Sequence, residues 1–285
     1  DAGNLMRRLI GLLGKGGGHG TMAGGFVTIP KTAADGGRAI ERMLAHRSVR
    51  AFLDSPLPAG TLELLVAAAQ SAATSSNLQA FSIVAVEDAA RRQRLSVLAN
   101  HQAHVARAPL FLVWVADLSR ADRTAARLGE CSDANRFFEM FLVATVDTAL
   151  AAQNATLAAE SLGLGAVYIG ALRNHPERVA EELRLPPRAF ALFGMCIGVP
   201  DPTRPADVKP RLAQSLVLHR EQYDPATEPD GIAAYDDVMR AFQRSQRMTE
   251  QPWSRQASQR VRDAASLSGR HGLLETVRRM GFELD

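Results

Sequence analysis

The chain has 285 residues, of which 46% are hydrophobic and 22% charged. It is therefore too apolar for a disordered protein and long enough for one large domain or two small ones. Its 33 basic and 30 acidic residues leave a formal net charge of only +3, which argues against a dedicated nucleic-acid-binding protein. Cys131 and Cys196 are far apart and form no CxxC pair, so we expect no disulfide framework, no structural zinc and a cytoplasmic location.

The predicted elements begin after a Gly-rich stretch without periodicity. Residues 1–35 are predicted to be a flexible leader and 36–285 one folded domain. A short helix is predicted at 37–45, before the sequence HRSVR at 46–50. A Leu- and Ala-rich helix is predicted at 59–73, and the polar stretch TSSN at 74–77 ends it.

Apolar runs at 81–86 and 110–115 predict two buried strands, with a basic helix at 89–99 and a loop at 100–104 between them. The most apolar stretch predicts a helix at 133–162 that is apolar on nearly every face and runs through the core. Its polar and acidic residues argue against a membrane span.

Gly163 and Gly165 are predicted to end this long helix. A strand at 166–169, a helix at 176–184 and a strand at 192–197 follow. Residues 200–285 contain a Pro-rich extended segment and then polar helices, which predicts a C-terminal arm around the body. The pattern favours an α+β fold around a helical core, with part of the burial supplied by a partner subunit.

Several common kinds of site lack support. Gly163 and Gly165 close a helix and open a strand, which is the reverse of a dinucleotide fingerprint, and the sequence contains no P-loop. His101 and His104 are predicted to be surface residues and not metal ligands, because no Cys or carboxylate completes a set. Asp147 and Glu160 in the long helix are interpreted as satisfied buried polar groups or subunit contacts.

Two short basic segments are better candidates for a binding site. HRSVR at 46–50 clusters donors beside a helix end, and KPR at 209–211 places two cations around a stiffening proline. Lys209 is the only lysine outside the Gly-rich leader. Each segment alone is typical of a solvated basic surface, whereas together they suit a phosphate monoester, to which the serine-rich loop adds hydroxyl donors.

An ordered series of short motifs runs along the chain: HRSVR at 46–50, TSS at 74–76, HQAHV at 101–105, DTA at 147–149, AQN at 152–154, ESLGLG at 160–165, VYIG at 167–170, RN at 173–174, LFG at 192–194 and KPR at 209–211. In this order the motifs resemble the nitroreductase superfamily of FMN enzymes. The resemblance is to its branch of NADPH-preferring, oxygen-insensitive nitroreductases and flavin reductases. It runs from about residue 46 to residue 216 and is weaker beyond.

The resemblance implies roles for individual residues. The FMN phosphate would be held by His46, Ser48, Lys209 and Arg211, with Arg47 in the same donor cluster. Arg50 would lie at the pyrimidine edge of the flavin and tune it. The flavin ring would be contacted by Gln102, and covered by Tyr168, Ile169, Gly170 and Ala171. Thr74, Ser75 and Ser76 would reach the FMN of the other subunit.

The resemblance also implies a nitroreductase-like fold, with a central mixed or antiparallel sheet packed by helices around a long buried helix, in an intertwined homodimer. NADPH would pass hydride to flavin N5 before a nitroaromatic, quinone or free flavin takes the electrons, without a side-chain nucleophile, a metal, a membrane or a nucleic acid. The alternatives are a flavin reductase that supplies reduced FMN to a partner monooxygenase, and a non-catalytic FMN-binding relative.

Two features depart from the family pattern or leave it open. Asn77 stands where relatives often have an aromatic residue, and Ala171 stands where many have a second glycine. For the 2′-phosphate of NADPH, the candidates are Arg244 and Arg247, each of which an exposed basic helix also explains.

Overall fold

The protein is built on a four-stranded antiparallel sheet, seen in a computed structural model that describes residues 37–285. The strands are β1 Phe81–Ala85, β2 Leu110–Asp117, β3 Gly165–Ile169 and β4 Ala189–Gly198. Their order in the sheet is β1-β2-β4-β3, and each neighbouring pair is antiparallel. The predicted α+β class is confirmed, whereas the predicted leader at 1–35 lies outside the described residues.

The α-helices of the described chain are α1 Gly37–Leu44, α2 Thr61–Gln70, α3 Ala89–Leu98, α4 Ala103–Arg107, α5 Ser119–Leu128, α6 Phe138–Ser161, α7 Pro176–Leu183, α8 Glu228–Ser245, α9 Trp253–Arg260 and α10 Leu273–Arg279. The sequence pattern predicts no helix for α5, because its Arg- and Ala-rich sequence carries few large apolar residues. Helix α6 begins five residues later than the predicted position 133, since Asp133–Arg136 form a separate 3₁₀ turn.

The described residues divide into two units. The first unit comprises Ser48–Ala206 and Gly269–Asp285 and contains the whole sheet. The second unit comprises 37–47 and Asp207–Ser268. Of the predicted C-terminal arm at 200–285, residues 200–206 and the last 17 residues therefore belong to the first unit, and 207–268 belong to the second.

The core of the first unit lies on both sides of the sheet. Strand β2 is the centre of this core, because every one of its residues is buried. On one face Phe111 and Val113 pack in a cluster with residues of α3 and α7. On the other face Trp114 packs in a cluster with residues of α2 and α6. A strand that is buried on both faces needs the continuous apolar sequence from which β2 is predicted.

Helix α6 packs on the sheet through small residues. Ala144, Ala151 and Ala155 are completely buried, and alanine allows the helix to approach the strands closely. The opposite face carries one exposed apolar residue per turn: Phe138, Leu142, Val146 and Leu150. We call these four residues the α6 stripe. The predicted burial on nearly every face is therefore not reached within a single chain.

The end of the chain packs against the start of α6 in the first unit. The Phe282 ring is fully buried and meets Phe141 edge-on, with ring centroids 5.2 Å apart. Arg188 pairs with Asp122 at 3.2 Å and with Glu283 at 2.6 Å, which fastens the same segment to the start of β4.

In the second unit, Tyr235 of α8 packs edge-on against Trp253 of α9, with centroids 5.4 Å apart. The Tyr235 hydroxyl donates to the carbonyl of Pro210 at 2.8 Å. This hydrogen bond holds the KPR segment against α8.

Candidate active site

The first part of the site is the segment 48–50, which lies along the edge of β3. Ser48 and Ala166 form an isolated parallel bridge, and the Val49 N–H donates to the Ala166 carbonyl at 2.9 Å. This bridge adds a parallel contact to an otherwise antiparallel sheet. It places the side chains of Ser48 and Arg50 beside a strand that runs into the motif VYIG.

Gly165 makes this close approach possible. A Cβ atom at Gly165 would lie 2.6 Å from both Cβ and Cγ2 of Val49, which is too close for any carbon pair. The helix end is formed by Gly163, whose φ of 77° is in the left-handed region and whose Cβ position is open. The prediction that both glycines end the helix is thus confirmed for Gly163 and wrong for Gly165.

The second part of the site is the C-terminal end of β3. The hydroxyl groups of Tyr168 and Thr156 are hydrogen-bonded at 2.8 Å, and the Tyr168 ring meets Phe193 edge-on at 5.1 Å. Burial raises the pKa of Tyr168, so its phenol stays protonated at neutral pH. The ring is therefore held in one orientation at the strand end.

The backbone turns immediately after Tyr168. Ile169 and Leu172 are buried, and Gly170–Asn174 form a 3₁₀ turn. The Arg173 guanidinium donates to the Leu192 carbonyl, and a Cβ at Gly170 would lie 3.3 Å from Arg173 Nη2. Burial, and to a lesser degree the nearby Arg270, lowers the pKa of Arg173. Arg173 thus holds the turn at 170–174 against β4. The family resemblance predicts that this turn covers the flavin.

The third part is the start of α4. Gln102 precedes this helix, and its main-chain carbonyl accepts a hydrogen bond from the Ser96 hydroxyl at 3.0 Å. His104 lies near Arg50, and both its burial and that cation lower the His104 pKa. His104 Nε2 is buried and has no hydrogen-bond partner within the described chain. The predicted surface position is confirmed for His101, which is exposed, whereas His104 is half-buried.

The fourth part of the site is the loop at 74–79, which is anchored to helix α6. The carboxylate of Asp147, in the middle of α6, accepts hydrogen bonds from the N–H groups of Ser75 and Ala80, each at 3.0 Å. The interpretation of Asp147 as a satisfied buried polar group is confirmed. Asp147 and Thr156, the anchor of Tyr168, are nine residues apart, which is about 13 Å along an α-helix.

The remaining predicted residues lie in the second unit. Arg47 donates to the Ala45 carbonyl at 3.2 Å, and His46 ends the turn that follows α1. Arg211 donates to the Lys209 carbonyl at 3.3 Å. These donors belong to short segments between helices.

The two NADPH candidates differ. Arg244, on α8, forms two hydrogen bonds of 2.9 Å with Glu250, so its charge is already paired. Arg247 follows the helix in a left-handed conformation with φ of 52°.

Cys196 is buried, which raises the pKa of its thiol and makes it a poor nucleophile.

Neither a metal-binding cluster nor a membrane-spanning helix is found in the described part of the chain. No group of three or more His, Cys, Asp or Glu side chains there is arranged to hold a metal ion. Of the helices between 37 and 285, none combines the length and the apolar character needed to cross a membrane.

Three positions support the site without a role assigned to them from the sequence. Ser96 is not singled out by sequence reasoning, whereas Val49 and Arg173 lie within the motifs at 46–50 and 173–174, and their contacts with Gly165 and Leu192 are visible only in the fold. For Asp147 a signal exists, because a carboxylate within an apolar helix needs hydrogen-bond donors. Its partners in the 74–80 segment, however, are visible only in the fold.

Comparison with known proteins identifies two matches to protein families. Residues 43–199 match the Nitroreductase family, and residues 209–285 match the C-terminal domain of the Nitroreductase family. The two matches together span most of the described chain, including every part of the site above.

Individual relatives agree with these matches. An oxygen-insensitive NADPH nitroreductase from Salmonella typhimurium is 44% identical over 204 residues, which is 71% of this chain and 81% of the relative. An FMN reductase (NADPH) from Bacillus subtilis is 40% identical over 222 residues, covering 76% and 88%. The structure of the NfrA1 nitroreductase from B. subtilis superposes with a TM-score of 0.81 at 37% identity, covering 87% of this chain and all of that one.

Proposed function

The chain belongs to the nitroreductase family, and we propose that it is an FMN-dependent NADPH oxidoreductase that reduces nitroaromatics and quinones. The observation that carries this proposal is the edge of β3. There Ser48 and Arg50 run beside the strand that leads into Tyr168 and Gly170. Relatives named as an NADPH nitroreductase and an FMN reductase support both the cofactor and the electron donor.

The residues at this edge fit a flavin mononucleotide. The 3₁₀ turn Gly170–Asn174 begins with a glycine, so its main-chain N–H groups can approach a flat ring without obstruction by a side chain at that position. Arg173 fixes that turn from the protein side, and Gln102 is held by Ser96. The assignment of the phosphate to His46, Ser48, Lys209 and Arg211 rests on the family resemblance.

Arg50 has the clearest chemical role. Burial, and then the charge of Arg50, lower the pKa of the neighbouring His104, which favours a neutral ring beside the arginine. We assign to Arg50 the stabilisation of negative charge that reduction adds to the pyrimidine edge of the ring. Bound FMN would supply the two-electron redox chemistry between NADPH and the acceptor, in a ping-pong sequence.

We propose that the active form is a homodimer. The α6 stripe is an apolar surface on an otherwise well-packed helix, and such a surface in water favours association. The anchors of the 74–79 loop and of Tyr168 lie about 13 Å apart along α6. The contact of the loop of one chain with the flavin of its partner rests on the family resemblance.

The two free cysteines fit a reducing compartment, and we place the enzyme in the cytoplasm. Arg247 is the better of the two candidates for the 2′-phosphate of NADPH, because Arg244 is already paired with Glu250.

The proposal is tested by the acceptor specificity of the purified enzyme. We expect NADPH oxidation with nitrofurazone or a quinone as acceptor. An FMN-loaded protein that transfers electrons to neither would contradict the proposed substrates. The 40% identity to an FMN reductase favours one second function, the supply of reduced FMN to a monooxygenase. That function predicts faster turnover with free FMN than with nitro compounds.

A further inference from the structure

The loop at 74–79 has an unusual backbone. Ser76, Asn77 and Gln79 have φ values of 49°, 55° and 51°, all in the left-handed region. Side chains other than glycine adopt this region rarely, and asparagine tolerates it best, which gives a physical reason for Asn77. Three such residues within four positions persist only where the surrounding structure fixes them.

Few contacts within the loop hold its backbone in this conformation. The side chains at 75–79 are all exposed. The internal main-chain bonds join Leu78 N–H to the Ser75 carbonyl at 2.8 Å and Asn77 N–H to the Thr74 carbonyl at 3.4 Å. At the distal side the Gln79 carbonyl accepts from Arg120 at 3.0 Å and from Phe81 N–H at 2.8 Å, and the Gln79 side-chain amide donates to Asn77 at 3.4 Å.

Asp147 closes both ends of the loop at once. Its side chain is only 1% exposed, and it lies near the middle of the 24-residue helix α6. Oδ1 accepts from Ser75 N–H and Oδ2 from Ala80 N–H, each at 3.0 Å. One carboxylate on a rigid helix therefore sets the distance between the two ends of a strained loop.

A carboxylate is required for this arrangement, because both partners are donors. An asparagine side chain has one acceptor oxygen and one donor NH2 group, so in the geometry of Asp147 it accepts from one of the two N–H groups and presents N–H to the other. Replacement of Asp147 by asparagine, its closest isostere, should therefore break one of the two hydrogen bonds.

We propose that Asp147 is a positioning residue for the flavin site: it holds the backbone of 75–76 in the conformation that contacts FMN. The inference rests on the proposed function, in which 74–76 reach the cofactor of the partner subunit. Asp147 does not touch the cofactor and acts through the loop alone. A loop released at one end would sample other conformations and present its donors to FMN for only part of the time.

The test compares Asp147→Asn with Thr148→Val in the full-length protein. Thr148 is the next residue of α6 and is also fully buried, but its hydroxyl bonds the carbonyls of Ala144 and Val115 and not the loop. Both variants remove a buried polar interaction from the same helix. Only Asp147→Asn is expected to change the loop.

Three quantities are measured: the melting temperature, the amide hydrogen exchange of residues 74–81, and the Kd for FMN from fluorescence titration of the apoprotein. For Asp147→Asn we expect exchange at Ser75 and Ala80 to accelerate roughly tenfold or more. We also expect the Kd for FMN to rise by about tenfold or more. Thr148→Val should lower the melting temperature while leaving both other quantities near wild type.

Two results would overturn the proposal. If both variants weaken FMN binding in proportion to their loss of melting temperature, Asp147 is only structural. If Asp147→Asn accelerates exchange but binds FMN like wild type, the loop does not position the cofactor. Failure of the wild type to bind FMN is a different result, because it contradicts the proposed function and, with it, this inference.

Discussion

Replacement of Gly165 by alanine tests how the site is assembled. The new methyl group would lie 2.6 Å from Cβ and Cγ2 of Val49 and 2.8 Å from its Cγ1, all within a buried contact. Neither backbone can yield without separating segment 48–50 from β3. We therefore expect Gly165→Ala to break the 2.9 Å hydrogen bond from Val49 N–H to the Ala166 carbonyl.

The cost can be worked out from these contacts. Overpacking of a buried site costs about 1–3 kcal/mol. The loss of one main-chain hydrogen bond adds about 1 kcal/mol, so the free energy of unfolding should fall by roughly 2–4 kcal/mol. At about 2–4 °C per kcal/mol for a protein of this size, the melting temperature should drop by roughly 4–16 °C.

Gly163→Ala is the matched control. It is the same chemical change two residues earlier, at a position with φ of 77° and no atom within 4 Å of the added Cβ. Its cost is backbone strain alone, about 1–2 kcal/mol, and it leaves the contact between Val49 and Ala166 in place.

The assay is urea unfolding together with FMN titration of both variants. Gly165→Ala should lose more stability than Gly163→Ala, and only Gly165→Ala should weaken FMN binding, because it displaces Ser48 and Arg50. Equal Kd values for FMN in the two variants would refute the assignment of segment 48–50 to the cofactor site. A Gly165→Ala protein as stable as wild type would refute the packing argument itself.

Two further predictions concern charge and assembly. Hydrogen bonds and charge from Arg94, and then from Arg91, lower the pKa of Glu182 to about 2, so its stabilising effect is complete above its ordinary value of 4.5 and is lost as pH falls through about 2. Urea midpoints should therefore be lower for Glu182→Gln than for wild type at pH 7, and the difference should shrink as the pH falls from about 4.5 towards 2; a difference at pH 2 as large as that at pH 7 would contradict this. In the α6 stripe, Val146 is 53% exposed, so Val146→Arg should fold normally yet elute at the chain mass of 30.7 kDa, where the wild type elutes at twice that mass. A variant that stays dimeric would exclude this face as the interface.

Much of the fold can be predicted because its signals are local. The continuous apolar run of β2 predicts a strand buried on both faces, and the apolar stretch of α6 predicts a long helix in the core. Helix α5 is not predicted because its apolar pattern is weak. Tertiary packing has more influence on whether this segment is helical than its local sequence has.

The site is predictable to a smaller extent. Ordered motifs lead to Arg50 and Tyr168, which the fold places in one unit. Position 165 needs a glycine because it contacts Val49, which lies more than 100 residues earlier. The sequence around either residue does not indicate this contact. The same is true of Asp147, whose partners at 75 and 80 become neighbours only when α6 packs on the sheet.

The most direct test of the proposed function is an anaerobic absorbance spectrum of the purified full-length protein before and after addition of NADPH. We predict visible flavin bands that bleach with NADPH and return when nitrofurazone is added. A colourless protein that FMN does not reconstitute, or a bound flavin that NADPH leaves oxidised, would contradict the assignment of this chain as an FMN-dependent NADPH oxidoreductase.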